Sequence, residues 1–162
     1  MTTPPAHPKI FYITHVDNLR SIVAAGELLS DASMIVRGAP HAGIGMSTIK
    51  QRRLGLPVSC HANDHDHVGD YVPFYFCPRS IMLFVIHCGN HPDLTYRGGQ
   101  APIVHMQADL HAVVAWGRQH NRRWGVHSLE RGSEVREGST NPPRNRRREW
   151  GYAVSGQCWA ST

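Results

Sequence analysis

Asp70-Tyr71-Val72-Pro73-Phe74-Tyr75-Phe76-Cys77-Pro78-Arg79-Ser80-Ile81-Met82-Leu83 is the stretch on which the fold turns. It sets aromatic residues and prolines beside an arginine, then runs straight into the apolar segment 81–86. Proline donates no ladder hydrogen bond, so two prolines within six residues place a strand at an edge or a bend. Tyr, Phe and Arg here shape a surface cleft at the mouth of a buried strand, or else the segment is an irregular crossing of the core. The residue types leave both readings open.

Downstream, the apolar run 81–88 is expected to be a buried strand, and residues 103–106 a further one. A turn falls around Gly98-Gly99. Residues 109–120 read as a helix, with Asp109 near its N-terminus and Leu110, Val113, Val114 and Gly117 on its faces. Upstream, residues 10–13 are β-rich and read as a short buried strand. Candidate caps follow in residues 14–18, then Leu19, Ile22 and Val23 recur at helical spacing until Gly26 stops the pattern. Leu28-Leu29 is a short extended piece. Residues 32–45, rich in Gly, Pro and Ala, are expected to be a loop. Residues 46–54 fit a helix ending in Arg52-Arg53, and residues 55–69 a loop dense in His and Asp.

At 162 residues the chain is expected to be one domain with a sizeable core. The formal net charge of +5 favours polyanionic partners such as nucleic acid or a phosphorylated cofactor. No run is long enough to cross a bilayer, so no membrane partner is expected. Residues 1–9 lack a charged start and an apolar centre, which fits a disordered lead-in and not a signal peptide. The four cysteines, Cys60, Cys77, Cys88 and Cys158, have no paired spacing and fit a reduced, cytoplasmic chain. After Trp124 the aliphatic residues thin out. Asn141-Pro142-Pro143 is a breaker, Arg144-Asn145-Arg146-Arg147-Arg148 a charge run, and by composition the tail 125–162 need not fold.

Cys60-His61 with His65 and His67, plus Asp64 and Asp66, offers metal-capable side chains, but their spacing matches no zinc signature and a polar loop explains them as well. Arg52-Arg53 suits a pyrophosphate or carboxylate, which a guanidinium grips bidentately; cations are also favoured at any helix C-terminus. Ile13-Thr14-His15 joins a strand to a helix start and can present N–H groups and a hydroxyl to a ligand, or simply cap. There is no GxGxxG, Walker-type loop, GxSxG or HExxH, so the common nucleotide-fold and hydrolase classes lose support.

Taken in order, these pieces resemble the DarT family of DNA ADP-ribosyltransferase toxins. Phe11-Tyr12-Ile13-Thr14-His15-Val16-Asp17-Asn18-Leu19 looks like the family's opening strand and helix. Ile49-Lys50-Gln51-Arg52-Arg53 looks like its helix ending in a functional arginine. Asp70 to Phe76 with Pro78-Arg79-Ser80-x-Met82-Leu83 looks like its central signature, and Gly98-Gly99-Gln100-x-Pro102-Ile103-Val104-His105 like the next strand. The resemblance covers residues 10–124. It implies an α+β, ADP-ribosyltransferase-like fold with mixed sheets around an NAD cleft. It implies transfer of ADP-ribose from NAD to a base of single-stranded DNA, thymine favoured, in a toxin–antitoxin system with a macrodomain antitoxin as partner. Carried over by position, Tyr12, Ile13, Thr14, Ser21 and Leu29 line the NAD site, with Tyr12 replacing a common His. Arg53 falls at the functional arginine, where a fixed cation holds the diphosphate as an oxocarbenium-like state forms.

The family's late catalytic Glu, in a segment reading roughly Gln-Ala-Glu before apolar residues, has no match after Trp124. Glu149, before Trp150, is the nearest stand-in for the carboxylate such chemistry wants. One explanation is that residues 125–162 are read out of frame, which the nucleotide sequence decides. Two rival readings stand beside the enzyme: a catalytically inactive NAD- or nucleic-acid-binding remnant, and a metal-dependent enzyme built on the His-rich loop.

Overall fold

The computed structural model describes residues 6–38, 40–58, 66–128 and 150–155. Five strands form one sheet in the order β3-β1-β2-β5-β4, with antiparallel neighbours throughout. The strands are β1 (Lys9–His15), β2 (Tyr71–Tyr75), β3 (Ile103–Asp109), β4 (Trp124–Ser128) and β5 (Trp150–Ser155). Between them run α1 (Leu19–Ala25), α2 (Asp31–Arg37), α3 (Ser47–Gly55), α4 (Ile81–Cys88) and α5 (Leu110–Gln119).

The sheet is two ladders joined at one point. β1 pairs with β3 along its whole length, from Lys9↔Asp109 to His15↔Ile103. β2 pairs with β5 from Tyr71↔Ser155 to Tyr75↔Gly151, and β5 with β4. Between β1 and β2 the register is the single pair Phe11↔Tyr75. The sheet therefore opens where β1 and β2 part. This corrects the edge-or-bend expectation for the proline-bearing strand: β2 is central, with Val72 and Phe74 buried. A missing donor at Pro73 is compatible with a central strand whose ladder to one neighbour is this short.

Alternation along β1 and β2 sends side chains to two cores. Ile10, Val72 and Phe74 join Leu28, Leu110, Val113, Val114 and Trp124, with Tyr12 packed against them. Ile13 joins Met46, Met82, Ile86 and Leu94 in the second cluster, against which Tyr75 packs.

Four further expectations are corrected. Residues 81–88 are the helix α4. Ser80 Oγ accepts from the Leu83 N–H at 3.2 Å, and Gly89 closes the far end at φ 62°. An eight-residue apolar run fits a buried helix as well as a buried strand, and the caps decide. Residues 32–37 of the expected loop 32–45 belong to α2 (Asp31–Arg37). It starts at Ser30, whose Oγ accepts from Ser33 N–H at 3.1 Å, and ends at Gly38, φ 59°. The tail contributes strands: β4 starts at Trp124 and β5 pairs with both β2 and β4. Short β segments without local pattern are stabilised by such non-local partners. Lys9, expected in the lead-in, opens β1, and the Pro8 carbonyl accepts from Leu110 N–H at 2.9 Å. Glu149 lies outside the described residues, as does most of the segment 125–162 on which the out-of-frame reading rests.

Candidate functional site

The face of β1 that carries Tyr12 and Thr14 looks onto α1 and α2. Together they enclose a cavity of about 190 Å³, also lined by Ser21, Leu29, Asp31 and Lys50. It adjoins a broader groove of about 550 Å³ that includes Asp17 and Arg20, and both are bounded by Asn18, Ser21, Pro40 and His41.

Asn18 holds this wall in place. Its Nδ2 donates to Thr14 Oγ1 at 3.0 Å and to the Ala42 carbonyl at 2.9 Å, and its Oδ1 accepts from Ala42 N–H at 2.8 Å. The residue sits at the helix start as expected, but its side chain makes no capping bond. It pins residues 40–42 to the β1–α1 junction instead. Ser21 Oγ donates to the Asn18 carbonyl at 2.9 Å. At the cavity rim Glu27 pairs with Arg37, the last residue of α2.

Arg53 closes the far side. It sits in the last turn of α3, where Gly69 lets that helix approach the entry to β2. A Cβ at Gly69 would lie 2.7 Å from Leu54 Cδ2 and 2.9 Å from Leu54 Cα. From there Arg53 Nη2 donates to the Tyr71 carbonyl at 3.2 Å, and Nη1 lies 2.7 Å from Asp31 Oδ2. That carboxylate oxygen is buried, and no N–H is aligned on it, so the pair is a contact of charges. Burial pushes the Tyr12 hydroxyl above its ordinary pKa, and the Asp31 charge adds to the rise while Thr14 and Arg53 oppose it. Burial likewise raises Tyr75, with Arg53 opposing and Asp31 adding. Both phenols are neutral donors at physiological pH.

Of the residues picked from sequence, Tyr12, Thr14, Ser21 and Leu29 line one cavity. Arg53 reaches that cavity's wall through Asp31. The Ile13 side chain belongs to the second core cluster, leaving its backbone at the β1 face. Sequence reasoning missed Asp31, Lys50, His41 and the clamping role of Asn18. Ser30 followed by an acid is a helix-start signal that points to α2, and so to Asp31 at its first position. Of the His-rich loop, residues 59–65 lie outside the described residues. The described Asp66 accepts from the Tyr71 hydroxyl at 2.8 Å and pairs with Arg123 at 2.5 Å. Among the described residues no group of three or more His, Cys, Asp or Glu could hold a metal ion.

A family model described as "ssDNA thymidine ADP-ribosyltransferase, DarT" matches residues 11–151. The chain belongs to the DarT family. A DNA ADP-ribosyl transferase of Thermus sp. strain 2.9 is 39% identical over 111 residues, covering 68% of this chain and 49% of the relative. One of Mycobacterium tuberculosis is 32% identical over 106 residues, covering 65% and 43%. The chain thus spans about half the length of the DarT relatives it matches. Thermus sp. 2.9 DarT in complex with ADP-ribosylated ssDNA superposes with a TM-score of 0.74 at 27% identity, covering 98% of this chain and 79% of that one. The same protein in complex with NAD+ gives a TM-score of 0.65 at 26% identity, covering 97% and 79%. The DarT likeness makes the α+β architecture an ADP-ribosyltransferase fold. Among the described residues no helix is long and apolar enough to cross a membrane.

Proposed function

We propose that this chain is an NAD-dependent ADP-ribosyltransferase that modifies a base, thymine favoured, of single-stranded DNA. The observation that carries the reading is one cavity lined by Tyr12, Thr14, Ser21 and Leu29, four of the six residues that the resemblance assigns to NAD. The donors around it suit an anionic dinucleotide: the Tyr12 hydroxyl, the Lys50 ammonium and, behind Asp31, the Arg53 guanidinium. The adjoining groove gives a ligand larger than about 300 Å³ room to extend past Asn18.

In this reading NAD is a substrate. The bond from the ribose anomeric carbon to nicotinamide breaks, and nicotinamide leaves with the bonding pair. A ring nitrogen of the base bonds to that carbon and gives up its proton to a carboxylate. Arg53 fixes the diphosphate and stabilises the charge that develops. Ile13 adds its backbone to the NAD site. Glu149 is the carboxylate proposed for the proton, one residue ahead of β5. The NAD-binding part spans residues 10–124, and residues 125–162 are a divergent basic tail. The chain is then a cytoplasmic toxin countered by a macrodomain antitoxin.

Incubation with NAD and thymine-containing single-stranded oligonucleotides tests this. The expected result is a mass increase of one ADP-ribose on DNA, lost in Arg53→Ala. The second reading, an inactive NAD- or nucleic-acid-binding remnant, is favoured by one observation: no Gln-Ala-Glu segment followed by apolar residues occurs after Trp124. Retained NAD binding without transfer would select it.

A further inference from the structure

We propose that Asp31 is a positioning residue, holding the Arg53 guanidinium in the direction from which it meets the diphosphate of NAD. The inference rests on the NAD reading of the cavity and adds a residue to it.

Three elements meet at Arg53. α3 carries it, β2 supplies the Tyr71 carbonyl 3.2 Å from Nη2, and α2 supplies Asp31 Oδ2 2.7 Å from Nη1. Asp31 also lines the cavity that holds Tyr12 and Thr14, so Arg53 is held from the ligand side of the wall. A long arginine side chain free to rotate loses rotamer freedom when a ligand fixes it. Two fixed partners remove much of that freedom before the ligand arrives. No Arg53 N–H is aligned on the buried Asp31 oxygen. The hold is therefore electrostatic and leaves donor directions on the guanidinium for phosphate oxygens. Both charged side chains are shielded, with 19% and 17% exposure, so the attraction is less screened than at an open surface. The same two charges act on Tyr12 and Tyr75, which places the four groups in one neighbourhood.

Asp31 also sits in the first turn of α2, where any acid is favourable. A double-substitution cycle separates that structural benefit from positioning. The probe is carba-NAD, which lacks the labile glycosidic bond, with affinity read by calorimetry on the full chain. Arg53→Ala, Asp31→Ala and the pair are compared, with Asp31→Asn as a shape-preserving second variant. Circular dichroism and thermal melting report whether each is folded. The expected result is a roughly five- to tenfold loss of affinity for each Asp31 variant in the Arg53 background and no further loss in Arg53→Ala. Asp31→Glu, which restores the charge, recovers part of it. Equal losses in both backgrounds, or tighter binding on removing the acid, would overturn the positioning role while leaving the NAD site standing. A wild-type chain that binds no carba-NAD would overturn the site reading itself, and this inference with it.

Discussion

At the scale of single residues, the site is a set of charges and hydroxyls whose chain positions are far apart. Arg53 is a cation that an acid of the cavity lining, Asp31, already holds. Removing one such preorganised donor typically costs about 10²–10³ in rate, so Arg53→Ala should lower DNA transfer by that factor while the melting temperature moves little by comparison. Single-turnover transfer with NAD measures it; a loss under about threefold would exclude Arg53 from the reaction. The two raised phenols give a pH signature. Tyr12 and Tyr75 keep their protons in the fold at a pH where the unfolded chain has lost them. The unfolded state then binds fewer protons, so stability is unaffected below about pH 10 and falls as pH rises beyond it. Denaturant midpoints between pH 8 and 11 should drop more steeply for the wild type than for Tyr12→Phe/Tyr75→Phe. Parallel slopes would contradict the burial of these hydroxyls. Tyr12, Thr14, Ser21 and Leu29 were legible because resemblance works by position. Asn18 and Asp31 were not: Asn18 bonds Ala42, 24 residues on, and Asp31 meets Arg53 across two helices, neither at a spacing a local pattern records.

At the scale of elements, β1, α1, α3 and α5 were legible because their periodicity and stops agree, as at Gly26 after α1 and Asp109 before α5. α4 was misread as a strand because residues 81–86 are apolar throughout, so neither period shows; the information sat in its ends, Ser80 and Gly89. Ser80→Ala should therefore cost about 1 kcal/mol, read from urea unfolding, because the Leu83 N–H loses its acceptor in a buried setting. No change would mean that packing of Met82 and Ile86 alone sets the helix start. Placement of α3 depends on a different feature. Gly69 has no room for a Cβ against the Leu54 backbone, so Gly69→Ala must push the end of α3 away from β2. Overpacking of this kind costs about 1–3 kcal/mol. Since Arg53 precedes Leu54, the same change should also weaken NAD binding, which surface substitutions of equal stability cost would not do. Calorimetry on both separates displacement from simple destabilisation.

At the scale of the whole molecule, the sheet divides the work. The β3-β1 half carries the cavity residues Tyr12 and Thr14, and the β2-β5-β4 half carries the Tyr71 carbonyl and the strand that follows Glu149. They join at Phe11↔Tyr75, beside which the partly buried Tyr12 and Tyr75 both feel the Arg53 charge. The cavity lies on the β1 side of that junction, against α1 and α2, and the DNA acceptor proposed above must reach it from outside. The charge balance bears on that acceptor. The chain carries a net +5, and the exposed Arg20, Arg118 and Arg122 have no ion pair among the described residues; Arg20 lines the groove beside the cavity. A single strand bound through about three phosphates releases counterions with a slope near −0.7 per phosphate, so its affinity should fall about twentyfold between roughly 50 and 200 mM salt. Binding to the cavity proper involves one diphosphate and should fall much less over the same range. Fluorescence anisotropy with a labelled thymine-containing oligonucleotide, beside calorimetry with carba-NAD, reads the two slopes. A flat oligonucleotide slope would remove phosphate contact from the account and leave the basic balance to solubility alone. Equal slopes would mean that both ligands compete for the same few cations, with Arg53 foremost. In that case Arg20→Glu should leave the oligonucleotide slope unchanged, whereas a separate acceptor groove predicts that it flattens.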